Sequence, residues 1–330
     1  MSFAIGACFL LSALGCGAYL RLARRWQILD LPNERSSHVL PTPHGGGIPA
    51  LLAMMVVAVA AGVVDAVWPA PLALLLGLAL SLLVVGVLDD LRGLPVAARF
   101  GVYALCCALA VYALYAARAA DAGVANAAWF ALLAVPGLLW LVNLYNFMDG
   151  IDGIAASQCI AAAGVAGALA LRVPGAADYA LLCFLLAAAH AGFLLWNWSP
   201  ARLFMGDAGS VPTGFLLGGL ALYGMWQQIL PLACWLILLA AFITDATVTL
   251  LWRAAKGERV WQAHRSHAYQ RLSRAWGGHR PVVLALLAAI LLWLAPLATC
   301  AAFFPEYAVS LVILAYFPLL LGMAKALKVG

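Results

Sequence analysis

Long apolar runs separated by short polar gaps recur along the whole chain, and each run is about as long as a helix that crosses a bilayer. A membrane-spanning helix needs about 20 mostly apolar residues. On that pattern we predict eleven spans, with ends defined to within a few residues: 2–20, 46–64, 70–88, 100–117, 128–145, 154–171, 177–196, 211–226, 229–252, 282–303 and 307–325. No linker and no fixed-period repeat divides the chain, so we expect residues 1–330 to form one all-α integral membrane domain.

Composition and charge support this class and suggest an orientation. The chain is 66% hydrophobic and 9% charged, whereas about a quarter of a soluble domain is charged. Eleven alternating spans would put sixteen of the 18 Lys and Arg residues on one side and only Arg118 and Arg172 on the other. Because basic loops stay in the cytoplasm, we expect a multi-pass membrane protein with its N-terminus outside and its C-terminus inside. The first run lacks a basic n-region and reads as an uncleaved span.

Five of the 13 Asp and Glu residues fall in three polar gaps on the predicted cytoplasmic side. Asp89 and Asp90 end the third span, where a helix C-terminus and an adjacent acid both disfavour negative charge. We therefore expect a positive partner nearby, which could be a metal ion, Arg92 or a basic residue of another loop. The net charge of +5 suits anionic headgroups and anionic substrates and does not argue for nucleic acid.

The second acidic gap, NLYNFMDGIDG, contains Asp149 and Asp152. A helical turn would place two residues three apart on one face, and Asn143 and Asn146 precede them at related spacing. Unpaired acids at a bilayer boundary are costly, so this motif indicates a functional site. The Gly45–Gly47 run before the second span could direct backbone N–H groups at an anion, or could be only a flexible turn.

The third gap, RLFMGDAGS, places Asp207 between glycines, with Ser210 as the predicted N-cap of the next span. A carboxylate beside a helix N-terminus suits a Mg²⁺ ion that also contacts phosphate oxygens. Phe204 could stack on a base or could simply pack. In the last gap His264 and His267, with Arg265 between them, are predicted on a short amphipathic helix. For this pair we favour phosphate contact over zinc, while a basic helix lying on anionic lipid remains an alternative for the outer arginines.

These motifs together resemble one membrane enzyme family. Asp89-Asp90, NLYNFMDGIDGIA, FMGDAGS and AHRSHAYQR occur in the order and spacing of the polyprenyl-phosphate N-acetylhexosamine-1-phosphate transferases, the MraY/WecA-like glycosyltransferase family 4. The resemblance implies transfer of a sugar 1-phosphate from a UDP-N-acetylhexosamine to polyprenyl (undecaprenyl) phosphate, with release of UMP. It implies Mg²⁺ as the cofactor, for which Mn²⁺ could substitute, and the bacterial inner (plasma) membrane as the location.

The resemblance also implies roles for individual residues. Asp207 matches the Mg²⁺ ligand, and Phe204 matches the residue that stacks on uracil. The catalytic residues would be Asp89, Asp90, Asp149 and Asp152, and the substrate-binding residues Asn143, Asn146, Phe204, His264, Arg265 and His267. One residue of the Asp89-Asp90 pair would lie near the lipid phosphate, as a base or as an orienting group.

The late motif departs from one branch of the family. It reads HRSH, not the contiguous His run of the muramyl-pentapeptide branch, so it is more similar to the branch that initiates O-antigen or other surface polysaccharides. The amino sugar stays open, and the protein could form a homodimer. The alternatives are a membrane transporter or lipid-carrier flippase, which would place polar groups near the bilayer midplane, and a non-catalytic scaffold, which would be expected to have lost some of these acids.

Overall fold

The computed structural model describes residues 1–32, 40–65, 68–122, 127–259 and 264–327. Arg35 and Lys328, two of the cations assigned to the cytoplasmic side, lie outside these ranges, as does the centre of the loop before the second predicted span. Almost all of the described chain is helical. The prediction of an all-α membrane protein is therefore confirmed.

The first eight helices follow the predicted apolar runs closely. They are α1 (Ser2–Arg25), α2 (Gly47–Asp65), α3 (Ala70–Arg92), α4 (Val96–Ala122), α5 (Ala127–Met148), α6 (Ile154–Ala170), α7 (Ala177–Asn197) and α8 (Asp207–Trp226). Between α1 and α2 the two short strands β1 (Leu29–Asp30) and β2 (Thr42–Pro43) pair in antiparallel register, with Leu29 opposite Pro43.

The remaining helices are shorter or interrupted. They are α9 (Leu232–Leu238), α10 (Ala240–Ala255), α11 (Ala268–Ala275), α12 (His279–Ala289), α13 (Ala295–Phe303) and α14 (Ala308–Ala326). A π-helical segment, Ile290–Leu294, joins α12 to α13, and a 3₁₀ turn, Pro305–Tyr307, precedes α14. The axes of α9 and α10 differ by 70°, so the predicted ninth span is broken near its middle.

The predicted count of eleven spans is not confirmed. In the described ranges seven helical segments are long and apolar enough to cross a membrane, or eight if α9 and α10 form one bent span. The predicted spans 46–64 and 154–171 correspond to shorter apolar helices. The predicted span 211–226 lies in α8, which is outside that set although it occupies the core of the bundle.

Helix α8 is the centre of the bundle, because every residue from Ala208 to Gly224 is buried. A helix that is buried on all sides needs close neighbours, and α8 packs mainly against α3 and α5. Glycines permit these approaches: a Cβ on Gly86 would lie 2.5 Å from the Cα of Ala208, and one on Gly47 would lie 2.1 Å from the Cα of Gly209. This packing brings the N-terminus of α8 to the C-terminal end of α3.

The histidine inside α7 is a structural residue. His190 is buried, with Nδ1 2.9 Å from the carbonyl oxygen of Leu186 and Nε2 3.0 Å from the hydroxyl of Thr213. Both ring nitrogens are therefore satisfied inside the bundle, and nothing in this environment indicates a ligand.

Candidate active site

A polar cavity of about 520 Å³ opens where α3, α5 and α7 end and α8 begins. Residues from all three acidic gaps line it, although these gaps are far apart in the sequence. The predicted site residues among them are Asp90, Asn146, Asp149, Asp152, Phe204 and Asp207. The cavity is within the usual size of a small-molecule site.

Asp90 connects the end of α3 to the start of α8. Its carboxylate accepts hydrogen bonds from the backbone N–H groups of Asp207 at 3.1 Å and Ala208 at 3.2 Å. These are orphan donors of the first helical turn, and a negative charge is favourable there. Helix α8 begins at Asp207 with Gly206 as its N-cap, so the prediction of Ser210 as the cap is wrong. Ser210 instead donates to Asn146 Oδ1 at 2.8 Å.

The positive partner expected beside Asp89 is present, but it is Arg99 and not Arg92. The Arg99 guanidinium, near the start of α4, forms an ion pair with Asp89 and a second one with Asp207 at 3.2 Å. Asp89 also accepts the backbone N–H of Leu94 at 2.7 Å. Asp89 is therefore engaged beside the cavity, whereas Asp90 and Asp207 belong to its wall.

Asp149 and Asp152 have different environments, although they belong to one motif. Helix α5 ends at Met148 and α6 begins at Ile154, so both acids lie in the connection and the predicted shared helical face is wrong. No hydrogen bond to the Asp149 carboxylate occurs within the described part of the chain. Asp152 accepts the backbone N–H of Ala201 at 3.1 Å and contacts His279 Nδ1 at 3.1 Å.

The electrostatics of the two acids differ in the same way. Burial, followed by the negative charges of Asp207, Asp90 and Asp152, raises the pKa of Asp149 well above its ordinary range. Burial alone would also raise the pKa of Asp152, but the hydrogen bond and the charge of His279 outweigh it and hold that pKa below its ordinary value. Asp149 is thus the acid that needs a cation, and Asp152 already has its partners.

Asp207 is the second acid that lacks sufficient positive charge. Burial raises the pKa of Asp207 to about 7, the negative charges of Asp90 and Asp89 act in the same direction, and Arg99 acts against them. One guanidinium thus faces Asp89 and Asp207, with Asp90 and Asp149 close by. Among the described residues, the carboxylates outnumber the cations at this end of the cavity.

Asn143 and the glycine run do not have the predicted arrangement. Asn143 donates to the Leu139 carbonyl of its own helix at 2.7 Å and is not part of the cavity wall, so its substrate-binding role stays a prediction. The N–H groups of Gly46 and Gly47 donate to the Phe204 and Met205 carbonyls at 2.8 and 3.0 Å. Of the two alternatives for the glycine run, an anion site therefore does not hold for these two N–H groups.

The late basic motif lies in an extended segment ahead of α11, so the prediction that it forms part of a helix is wrong. His264 stacks on His267 with ring centroids 4.8 Å apart. His264, Arg265 and His267 are not in the cavity wall, and their contact with a diphosphate stays a prediction. Burial, the charge of His267 and then that of Arg253 lower the pKa of His264 to about 4, so His264 is neutral near pH 7.

A buried carboxylate on α10 holds this segment in place. Asp245 accepts the backbone N–H groups of Ala268 and Tyr269, both at 2.9 Å, and contacts His267 Nδ1 at 3.2 Å. The carboxylate therefore caps the N-terminus of α11 from another helix. Tyr269 links α11 to the end of α5, because its hydroxyl donates to the Phe147 carbonyl at 2.9 Å.

Comparison with known proteins covers the central part of this arrangement. Residues 72–225 match the model of glycosyl transferase family 4. The matched stretch contains the C-terminal ends of α3 and α5 and the N-terminus of α8. Residues 72–225 thus form a glycosyl transferase family 4 domain. The match includes all five acids of the three motifs, but it ends before Asp245 and the late basic segment.

Individual members of glycosyl transferase family 4 are similar over shorter stretches. The chain is 31% identical over 126 residues to a phospho-N-acetylmuramoyl-pentapeptide-transferase of Desulforapulum autotrophicum, which covers 37% of this chain and 33% of that protein. It is 30% identical over 107 residues to a probable undecaprenyl-phosphate N-acetylglucosaminyl 1-phosphate transferase of Bacillus subtilis, which covers 32% of this chain and 30% of that protein. The alignments thus span about a third of these relatives.

Sequence reasoning missed several residues of this site, four of which bear on its chemistry. Arg99, Asp245, Gln270 and His279 occupy or support the cavity. Arg99 had been counted only as a loop cation, and Asp245 lies inside an apolar run. An acid inside an apolar run is itself a signal, because charge is costly there unless it is paired. Gln270 and His279 carried no comparable signal.

The acidic end of the site fits a magnesium ion that arrives with phosphates. Over the described ranges no group of three His, Cys, Asp or Glu side chains is placed to hold a metal ion. Mg²⁺ at phosphate sites is commonly bound by one or two carboxylates together with water and substrate phosphates. Asp149 and Asp207 supply such oxygens, so the donor set is suited to Mg²⁺ in this mode and not to a closed protein cage.

Proposed function

We propose that this protein transfers N-acetylhexosamine 1-phosphate from a UDP-sugar to polyprenyl (undecaprenyl) phosphate and releases UMP. The observation that carries the proposal is the convergence of Asp90, Asp149, Asp152 and Asp207 on one cavity together with Phe204. The glycosyl transferase family 4 domain and the activities for which the relatives are named support the same reaction class. The product would be a polyprenyl diphosphate sugar.

The proposed reaction is a single displacement at phosphorus. A phosphate oxygen of the polyprenyl phosphate attacks the β-phosphorus of the UDP-sugar. The bond between that phosphorus and the oxygen bridging to the α-phosphorus breaks, and UMP leaves with the bridging oxygen. Phosphoryl transfer depends mainly on positioning and electrostatics, so it requires no activated serine or cysteine.

The chain's own residues would organise two anions. Bringing two unit charges to about 4 Å costs roughly 4 kcal/mol at an effective dielectric constant of 20. Asp149 and Asp207 would hold Mg²⁺, which supplies the positive charge that offsets this repulsion and the charge developing on the leaving phosphate. Phe204 would stack on the uracil ring, and His264 and Arg265 would contact the donor diphosphate.

The geometry favours an orienting role for the Asp89-Asp90 pair over a role as base. Asp90 accepts two backbone N–H groups at the start of α8, and Asp89 is paired with Arg99. A phosphate monoester has lost most of its second proton near pH 7, since its second pKa is about 6. The attacking oxygen therefore needs positioning more than proton removal.

We further propose that the product initiates O-antigen or another surface polysaccharide, on the cytoplasmic side of the inner membrane. The HRSH sequence at residues 264–267 supports this branch over the muramyl-pentapeptide one, and the bias of Lys and Arg supports the orientation. The donor would carry GlcNAc, GalNAc or a 6-deoxy acetamido sugar such as FucNAc or QuiNAc.

The test is UMP release by detergent-purified protein supplied with polyprenyl phosphate, Mg²⁺ and a panel of UDP-N-acetylhexosamines. We expect one donor to give lipid-dependent UMP that EDTA and Asp207→Asn abolish and that the control Asp178→Asn leaves intact. Asp178 is a suitable control because it is an exposed acid in the first turn of α7, and α7 reaches the cavity only at its other end. Folded protein that releases no UMP from any donor would refute the proposal.

A further inference from the structure

Gln270 lines the cavity and carries a buried side-chain oxygen that is unsatisfied among the described residues. The residue is only 6% exposed. Its side-chain oxygen Oε1 is buried without a hydrogen-bond partner in the described part of the chain. A buried acceptor without a donor is costly, so this atom is suited to a donor that the ligand brings.

Contacts with neighbouring elements place Gln270 at the cavity. Asp245 caps the helix that carries Gln270, through the N–H groups of Ala268 and Tyr269. Gly150 leaves room for this helix at the cavity edge, since a Cβ there would lie 2.0 Å from the Tyr269 hydroxyl and 3.2 Å from Gln270 Nε2. The carboxamide is therefore held against the DG turn of the second acidic motif.

The polar atoms of the Gln270 carboxamide indicate which part of a nucleotide sugar it could contact. Its Oε1 is an acceptor only, so it would repel phosphate oxygens, and Mg²⁺ would be drawn instead to the carboxylates of Asp149 and Asp207. The adjacent Nε2 is a donor only. An acceptor beside a donor complements an amide-type group, in which an N–H is adjacent to a carbonyl.

We propose that Gln270 is a donor-binding residue whose Oε1 accepts an amide-type N–H of the UDP-N-acetylhexosamine. This inference rests on the proposed function and assigns a contact within the same cavity. The donor has two such groups, the imide N–H of the uracil ring and the acetamido N–H of the sugar. Both groups are neutral, so neither competes with the diphosphate for Mg²⁺.

The test compares binding of UMP, UDP-glucose and UDP-N-acetylglucosamine to wild-type protein and to Gln270→Met, which keeps the length of the side chain but removes both polar atoms. The matched control is Gln158→Met, because Gln158 also has a buried Oε1 without a partner but lies in α6 away from the cavity. Gln270→Asn serves as a second variant with the same polar group one methylene shorter. Thermal unfolding confirms that each variant is folded.

We expect Gln270→Met to weaken binding about 10-fold, as the loss of a hydrogen bond of roughly 1.4 kcal/mol implies. Equal weakening for all three ligands assigns the contact to uracil, and weakening for UDP-N-acetylglucosamine alone assigns it to the acetamido group. Unchanged affinity in folded Gln270→Met and Gln270→Asn, or equal weakening in Gln158→Met, would overturn the inference. Failure of the wild-type protein to bind any of the ligands would instead refute the proposed function.

Discussion

Replacing Asp207 by Asn is expected to stabilise the metal-free protein at alkaline pH while abolishing transfer. In the wild type Asp207 shares one guanidinium with Asp89 and faces the further charge of Asp90. Asparagine removes one negative charge from this cluster without changing the side-chain shape. Arg99 keeps its partner Asp89, so the substitution leaves no cation unpaired.

The magnitude follows from the pKa of Asp207, which rises from 3.8 to about 7 on folding. A raised pKa means that the folded protein binds the proton more tightly, so this contribution is fully present below pH 3.8 and is lost as the pH rises through about 7. Each pH unit between the two pKa values changes the free energy of unfolding by about 1.4 kcal/mol. Because the side chain is 24% exposed and solvent screens its interactions, we expect a total change of about 1 to 3 kcal/mol between pH 5 and pH 8.

The assay is thermal unfolding of both proteins in detergent with EDTA from pH 5 to pH 8, with Asp178→Asn as the control. The advantage of Asp207→Asn over wild type should grow with pH and reach a few degrees in apparent Tm, whereas Asp178→Asn should show no such trend. Adding Mg²⁺ at pH 8 should raise the Tm of wild type but not of Asp207→Asn, because binding to the folded state stabilises it. A difference between Asp207→Asn and wild type that is independent of pH, or a lower Tm of Asp207→Asn at pH 8, would refute the reasoning.

Three further substitutions test other parts of the site. Asp245→Asn should raise the donor KM about 10-fold by weakening the cap of α11. The control Thr249→Val removes only a hydroxyl contact to the same carboxylate and should change the KM less. Equal effects of the two substitutions would contradict the capping role. Arg99→Met should lower kcat by about 100-fold, because two carboxylates then lack their cation, and activity like that of wild type would show that this pairing is dispensable. Gly150→Ala should reduce the yield and Tm of the protein, since its Cβ would collide with the Tyr269 hydroxyl, whereas Gly77→Ala, with nothing within 4 Å, should be tolerated. Unfolding and size-exclusion profiles distinguish the two variants. A well-folded Gly150→Ala would show that α11 can move aside.

The acids of the site could be predicted from sequence because each one interrupts an apolar run. Asp90, Asp149 and Asp207 lie at or beside helix ends. Short polar gaps on one side of a membrane leave these side chains few positions to occupy. Their convergence on one cavity follows from that restriction. The need for a positive partner at Asp89 could likewise be predicted from the helix dipole, although Arg99 itself could not be chosen from several basic residues.

The contacts formed by tertiary packing could not be predicted from local pattern. The bend between α9 and α10 occurs without an internal proline, and the run WLILLAAFITDATVTLLW reads as one continuous span. The partners of Asp245 could therefore not be identified from the sequence, because they lie on α11 and meet Asp245 only through tertiary packing. Gln270 and His279 reach the cavity only because that helix and the next one pack against the second acidic motif.

The contact between Gly47 and Gly209 has a mechanical consequence for how ligands enter. Backbone meets backbone there, and two main-chain hydrogen bonds, from Gly46 to Phe204 and from Gly47 to Met205, reinforce the seam between α2 and the segment leading into α8. Opening this wall would require separating two backbone segments that touch directly, whereas the wall carrying Gln270 is held by side-chain hydrogen bonds, to the Asp245 carboxylate and from the Tyr269 hydroxyl to the Phe147 carbonyl. The α2 side of the cavity is thus more rigid than the α11 side. Amide hydrogen exchange should be slow at Gly47 and faster in α11. Any widening that admits a bulky nucleotide would occur on the α11 side.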